Sequence, residues 1–234
     1  MLPKIKQPIF TMEIPSTKKS VKYRPFTVAE EKLLMIAKES NDSKDIVNVY
    51  RQIITNCILD TIDVDKLAYF DLEYIFLMLR AKSVSNIVEL QIKDEEDGNT
   101  YPVKYDLDNV KISEQKKDNL IALSDGITVK LKYPTYSALA DLKTNSSGSV
   151  DSSDMLTIVR ICLDQVIADD EVFETDNYTT SELDDFILSL GSKELMKLQK
   201  FFETLPKVYG DIEYKRKDGT VVKHKLEGMQ SFFG

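Results

Sequence analysis

The sequence predicts an α+β fold, with two helical blocks and antiparallel β-hairpins at the N-terminus, in the middle and at the C-terminus. Three observations predict it. Apolar residues recur at helical spacing through 27–83 and again through 135–205. The period switches to two from Ile87 to Ile92, and Asp-Gly pairs stand at Asp97-Gly98, Asp125-Gly126 and Asp218-Gly219. Asp-Gly favours a hairpin because both residues tolerate positive φ. With 234 residues, 42% of them hydrophobic and 30% charged, the chain can bury a core as one large domain or two small ones.

The first segment, 1–26, holds four of the seven prolines, at Pro3, Pro8, Pro15 and Pro25. Phe10, Met12 and Ile14 alternate with polar residues, as do Val21 and Tyr23, so it reads as an extended hairpin or arm turning at 15–19. The segment 27–83 is the first helical block. Thr27 and Glu30 form a capping-box pattern, and Leu33, Leu34, Ile36 and Ala37 follow as an apolar face. A second helix is expected over 43–59, with Ile46, Val49, Tyr50, Ile53, Ile54, Cys57 and Ile58 at helical spacing. A third, over 72–81, is apolar nearly all round and belongs at the centre of the fold.

The segment 84–134 reads as a small antiparallel β unit. Its first hairpin turns at Asp97-Gly98, and its second runs from Leu120–Leu123 through Asp125-Gly126 to Leu131. The segment 135–205 is the second helical block. Its loop over 144–153 is rich in Ser, Gly, Asn and Asp and is read as flexible, and helix is expected over 155–167. Thr179 and Glu182 repeat the capping box, and Leu183, Phe186, Ile187 and Leu190 line one face. Leu195, Leu198, Phe201, Phe202 and Leu205 line the next helix until Pro206 stops it. The last segment, 206–234, holds the hairpin at Asp218-Gly219 and an apolar tail.

Chemistry-bearing patterns are scarce. The single histidine, His224, lies on a strand between Lys223 and Lys225, which leaves no two-histidine metal site, and no nucleophile elbow accompanies it. Cys57 and Cys162 fall in helical apolar stripes and read as buried small hydrophobes in a reducing compartment. No phosphate-binding loop and no Rossmann glycine pattern occurs. Aligning Gly98 with the glycine of a calcium loop puts Lys93 and Lys104 where carboxylates are required. Acid pairs such as Asp184-Asp185 read as solvated surface. The expectation is a protein with no enzymatic activity, no cofactor and no metal.

The net charge of −8 argues against broad phosphate binding, which needs a positive surface. The clusters Lys18, Lys19, Lys22 and Lys215, Arg216, Lys217 flank turns, where solvated lysines are ordinary. Nucleic-acid binding through them is the alternative reading. No run is long and apolar enough to span a bilayer, and no secretion signal is readable. At the tail, Leu226, Met229, Phe232 and Phe233 are apolar at helical spacing. Two readings stand side by side: a short helix packing back on its own domain, or an apolar anchor for a partner protein.

Several segments together resemble the T4-type bacteriophage baseplate family, whose members are hub subunits or hub assembly factors. They are YRPFTVAEEKLLMIAKES at Tyr23–Ser40, FDLEYIFLMLRAKS at Phe70–Ser83, ITVKLKYPT at Ile127–Thr135, LQKFFETLPK at Leu198–Lys207 and LEGMQSFF at Leu226–Phe233. The resemblance implies a role in building or completing the hub of a contractile tail baseplate. The implied partners are other hub proteins or the tape-measure protein, met in the host cytoplasm during assembly. Either the chain stays in the virion or it is a transient chaperone that leaves. The resemblance implies cysteine pairs in the hairpins of some relatives that could hold zinc; here 93–100 and 215–222 contain no cysteine, so no metal is carried over.

Overall fold

The computed structural model describes residues 5–40, 43–114, 119–136, 138, 152–169 and 171–233. Among them are six α-helices and eleven strands, an α+β mixture. The predicted loop over 144–153 lies outside the described residues as far as 151, and Ser152 already starts a helix.

The chain opens with strands β1 (Phe10–Glu13) and β2 (Ser20–Tyr23), paired antiparallel with Met12 opposite Val21. Their alternation sends Met12, Val21 and Tyr23 inward and leaves polar neighbours in water. Helices α1 (Val28–Ser40), α2 (Ser43–Cys57) and α3 (Tyr69–Ser83) follow. Half of the predicted box starts α1: the Glu30 carboxylate accepts the Thr27 amide at 2.7 Å, and the Thr27 hydroxyl donates to that carboxylate at 2.5 Å instead of accepting the Glu30 amide. Arg24 adds an ion pair to the same carboxylate at 2.8 Å, a partner the pattern does not announce. The end of α2 is tied to β2, since Ile58 bridges Tyr23 and the Leu59 amide donates to the Lys22 carbonyl.

As expected of a helix apolar on every side, α3 is central: Phe70, Leu72, Ile75, Phe76, Leu77 and Leu79 are all at most 2% exposed. The fully buried Asp71 sits in its first turn. Its carboxylate accepts the Ala68 amide, and also the amide and hydroxyl of Ser16 in the β1–β2 turn. One side chain thus caps a helix and fixes a hairpin.

Next come β3 (Ile87–Lys93), β4 (Thr100–Asp106) and β5 (Lys111–Ile112), then β6 (Leu120–Ala122) and β7 (Thr128–Leu131). Between β6 and β7 the Ile127 amide donates to the Ser124 carbonyl at 3.0 Å, with φ of 53° at Asp125 and 74° at Gly126. That is the two-residue turn whose twist suits a hairpin. Helix α4 (Ser152–Cys162), strands β8 (Leu163–Ala168) and β9 (Glu171–Glu174), and helices α5 (Thr180–Leu188) and α6 (Ser192–Glu203) follow. The chain closes with β10 (Val208–Lys215), β11 (Val221–Glu227) and a 3-10 turn at Met229–Phe232.

Two compact units result. One joins residues 1–113 to 207–234, and the other holds 114–206. In the first, β3 and β4 form one hairpin, and β10 stands between β11 and β5. In the second, a four-stranded antiparallel sheet runs β6-β7-β8-β9.

Two expectations are corrected. Helix over 155–167 ends at Cys162, and Leu163–Ala168 is the inner strand β8, bonded to both β7 and β9. Ile158, Val159, Cys162, Leu163, Val166 and Ile167 fit helical spacing, but cross-strand pairing on two sides outweighs that local preference. Nor is 84–134 one β unit: β5 pairs with β10, and β6-β7 join β8 in a different sheet. Strand alternation is local, whereas sheet membership is set by partners far along the chain.

Candidate functional site

The tail is the first candidate. After β11 the chain turns at Gly228, whose φ is 73°, and the 3-10 turn lays its apolar side chains inward. Leu226, Met229 and Phe232 are at most 2% exposed, and the Phe232 ring lies 5.4 Å from that of Tyr105. These three are core residues, and the partner-anchor reading is corrected for them: short apolar spacing after a strand serves burial just as well. Only Phe233 is open, at 40% exposure. One face of its ring packs on Phe76 at 6.0 Å, with the Arg80 guanidinium 5.4 Å from its centre.

Under the tail, Glu73 of α3 accepts the Met229 amide at 3.4 Å. Burial pushes its carboxyl up to about 7, against the small opposing pull of that hydrogen bond. Close by in the same unit, Gly210 of β10 passes directly beneath Tyr105; a Cβ there would meet the ring at 2.5 Å.

The hairpin tips are the second candidate. Asp94 at the end of β3 is 3% exposed. Arg216, just past β10, donates to it from Nε at 2.7 Å and from a terminal nitrogen at 3.0 Å. Tyr214 donates its hydroxyl at 2.8 Å, and the Glu96 amide adds another bond at 2.9 Å. Arg216 also reaches Glu96, and Lys217 reaches Asn99 and the Tyr101 hydroxyl. The Tyr101 and Tyr214 rings stack at 5.0 Å. The Arg216 guanidinium holds the Asp94 carboxyl well below the usual range.

The sequence offers the acidic turn 94–97 only as a calcium loop that fails, and the basic run 215–217 as solvated lysines, yet each is the other's partner. The signal available was their opposite charge on two hairpins of the same type. With both Asp94 oxygens engaged and no cysteine in either loop, these residues do not fit a metal ion. Among the described residues no cluster of His, Cys, Asp and Glu does.

Burial pushes the Cys57 thiol up to about 11 and that of Cys162 to about 12, so neither is a nucleophile at neutral pH. His224 is exposed on β11 opposite Ile212. A polar depression of about 590 Å³ beside α2 is lined by Asn48, Arg51, Thr55 and Asp65, where Arg51 and Asp65 pair with each other.

The second unit contains an apolar groove of about 310 Å³ between its sheet and α5, lined by Val166, Phe173, Tyr178, Leu183 and Phe186 with Glu182 at the rim. The predicted box closes the start of α5: Glu182 accepts the Thr179 amide at 2.8 Å, and the Thr179 hydroxyl accepts the Glu182 amide at 3.3 Å. Thr175, fully inside, donates its hydroxyl to the carbonyls of Leu163 and Asp164 and so fixes the approach of α5 to β8. Of the helix face expected to be covered, only Ile187 is buried; Leu183 and Phe186 remain partly open.

Fold and sites together define an α+β protein of short hairpins and helices, with buried polar clasps and an open apolar groove. The chain belongs to the family of T4 bacteriophage base plate proteins, whose model matches residues 7–234. No curated protein and no solved structure matches it.

Proposed function

We propose that the chain is a subunit of the baseplate hub or a factor that assembles the hub, and that it acts by contact with other baseplate proteins and not by catalysis. The family match across nearly the whole chain carries this reading. The geometry is consistent with it: both thiols are buried, the lone histidine is exposed on a strand, and the Asp94 carboxylate is engaged in a clasp. The candidate partners are other hub proteins and the tape-measure protein.

Co-expression with each of these, followed by affinity capture and size-exclusion chromatography, tests the reading. It predicts a complex of fixed stoichiometry with at least one of them. Elution of the chain alone in every combination contradicts it. Peptide mass spectrometry of purified virions then separates a resident subunit from a chaperone that leaves before the particle is finished.

A further inference from the structure

Charge is divided unevenly along this chain. Residues 1–113 with 207–234 carry 22 acidic and 22 basic side chains, whereas 114–206 carry 17 acidic and 9 basic, so the whole net charge of −8 lies in the second unit. Within it, the stretch from Ile161 to Ser192 holds nine carboxylates and no Lys, Arg or His. That stretch builds β8, β9 and α5, the walls of the apolar groove.

Few of these carboxylates are neutralised by neighbours. Lys130 pairs with Asp164 and Arg160 with Asp184, each at 2.9 Å. Glu174 accepts the amide of Gln165 and feels the charge of Lys130, on the sheet face opposite Phe173. Glu182 is held in its ionised form by the Thr179 hydroxyl and amide, which keep its carboxyl below the usual range. An apolar floor of Val166, Phe173, Leu183 and Phe186 therefore has Glu182 in its lining, with Asp176 and Asp185 exposed on the adjoining turn and helix and in no ion pair among the described residues. Beside it, β9 is the outer strand of its sheet, paired only with β8 among the described residues, and Val172 is 54% exposed on it.

We propose that this groove docks a basic, apolar segment of a partner protein. Large apolar side chains fill the floor, and flanking Lys or Arg side chains meet the rim. Opposite charge selects the occupant: an acidic segment is repelled, and a neutral one leaves the rim unpaired. The proposal rests on the preceding reading only in taking the partner to be a protein, and it holds wherever in the baseplate the chain sits.

The test uses the full chain and three labelled synthetic peptides, alternating Leu with Lys, with Ser or with Glu, followed by fluorescence anisotropy. The Lys-Leu peptide is expected to bind, and the other two at least about tenfold more weakly, with affinity falling as salt rises to about 0.3 M. Phe186→Ser and Tyr178→Ser are each expected to weaken binding several-fold, and Glu182→Gln, which keeps the helix cap, with Asp176→Asn to do the same. Asp125→Asn, which removes an exposed acid at the β6–β7 turn, is expected to change nothing. Tyr178 is 41% exposed, so its variant tests the groove even where Phe186→Ser disturbs folding, and thermal melts identify that case.

Equal binding of the three peptides, no binding of the Lys-Leu peptide, or equal loss on Asp125→Asn overturns the proposal. Hub complexes that survive intact in Tyr178→Ser while peptide binding is unaffected sink this inference alone. Peptide docking in a chain that captures no hub protein sinks only the hub reading.

Discussion

Replacing Phe232 and Phe233 separately should split the tail into core and surface. Phe232 is fully buried against Tyr105, and Phe233 is 40% exposed with one packed face. Truncating a buried Phe to Ala removes its transfer free energy and leaves a cavity, at a cost of about 3–5 kcal/mol. Against a typical total of about 5–15 kcal/mol, Phe232→Ala removes a large part of the stability of its unit. Phe233→Ser loses the Phe76 contact on one side and the Arg80 cation–π interaction, the latter worth about 0.5–1 kcal/mol at such a site. Its total cost should stay near 1–2 kcal/mol, roughly the transfer value of a half-buried aromatic.

Urea unfolding of the two variants and the parent, fitted with a shared slope, reads the difference directly. The midpoint for Phe232→Ala should fall by at least twice as much as that for Phe233→Ser. Equal shifts, or a Phe232→Ala midpoint unchanged from the parent, would refute the placement of Phe232 in the core.

Glu73 gives a pH signature. Its folded carboxyl holds a proton up to about 7, whereas the unfolded chain releases it near 4.5, so its contribution is complete at low pH and is lost as pH rises through about 7. Glu73→Gln keeps an acceptor for the Met229 amide and should raise the unfolding free energy at pH 8, by at most about 3 kcal/mol, but hardly at pH 5; an equal effect at both pH values in urea unfolding would contradict this. Asp94 has the opposite sign: its folded carboxyl is depressed, so its contribution is present above the ordinary carboxylate range and lost as pH falls below it. Asp94→Asn should lower the melting temperature at neutral pH and speed amide exchange at both hairpin tips, and unchanged exchange there would count against the clasp. Gly210→Val should leave the second unit's amide protection intact while destabilising the first, because its Cβ collides with Tyr105. Cys57 and Cys162 should resist thiol reagents in the native protein and react at once in denaturant; rapid native labelling would show that they are not buried.

Much of the fold is legible in the sequence where the signal is local. The Thr179–Glu182 box, the Glu30 half of the Thr27–Glu30 box, the Asp125-Gly126 turn and the apolar α3 each follow from a few neighbouring residues, and each is found in place. What needs partners distant in sequence is not legible. Val166 and Ile167 read as helix because only their pairing with Thr128–Val129 and Val172–Phe173 makes them a strand. The pairing of Asp94 with Arg216 is not legible because 122 positions separate them. The tail residues Leu226, Met229 and Phe232 show the same limit, since spacing records which side chains share a face but not what covers it. The groove was half visible: the face of Leu183, Phe186 and Ile187 was clear, and that it stays partly open was not.

If the chain serves baseplate assembly through protein contacts, phage that lack it cannot finish a baseplate. Electron microscopy of lysates from phage in which its coding sequence is interrupted reads this out, with the chain supplied in trans as the control. Complete baseplates and infectious particles should be lost, and both should return on complementation. Normal baseplates and an undiminished yield of infectious phage without the chain would contradict that role.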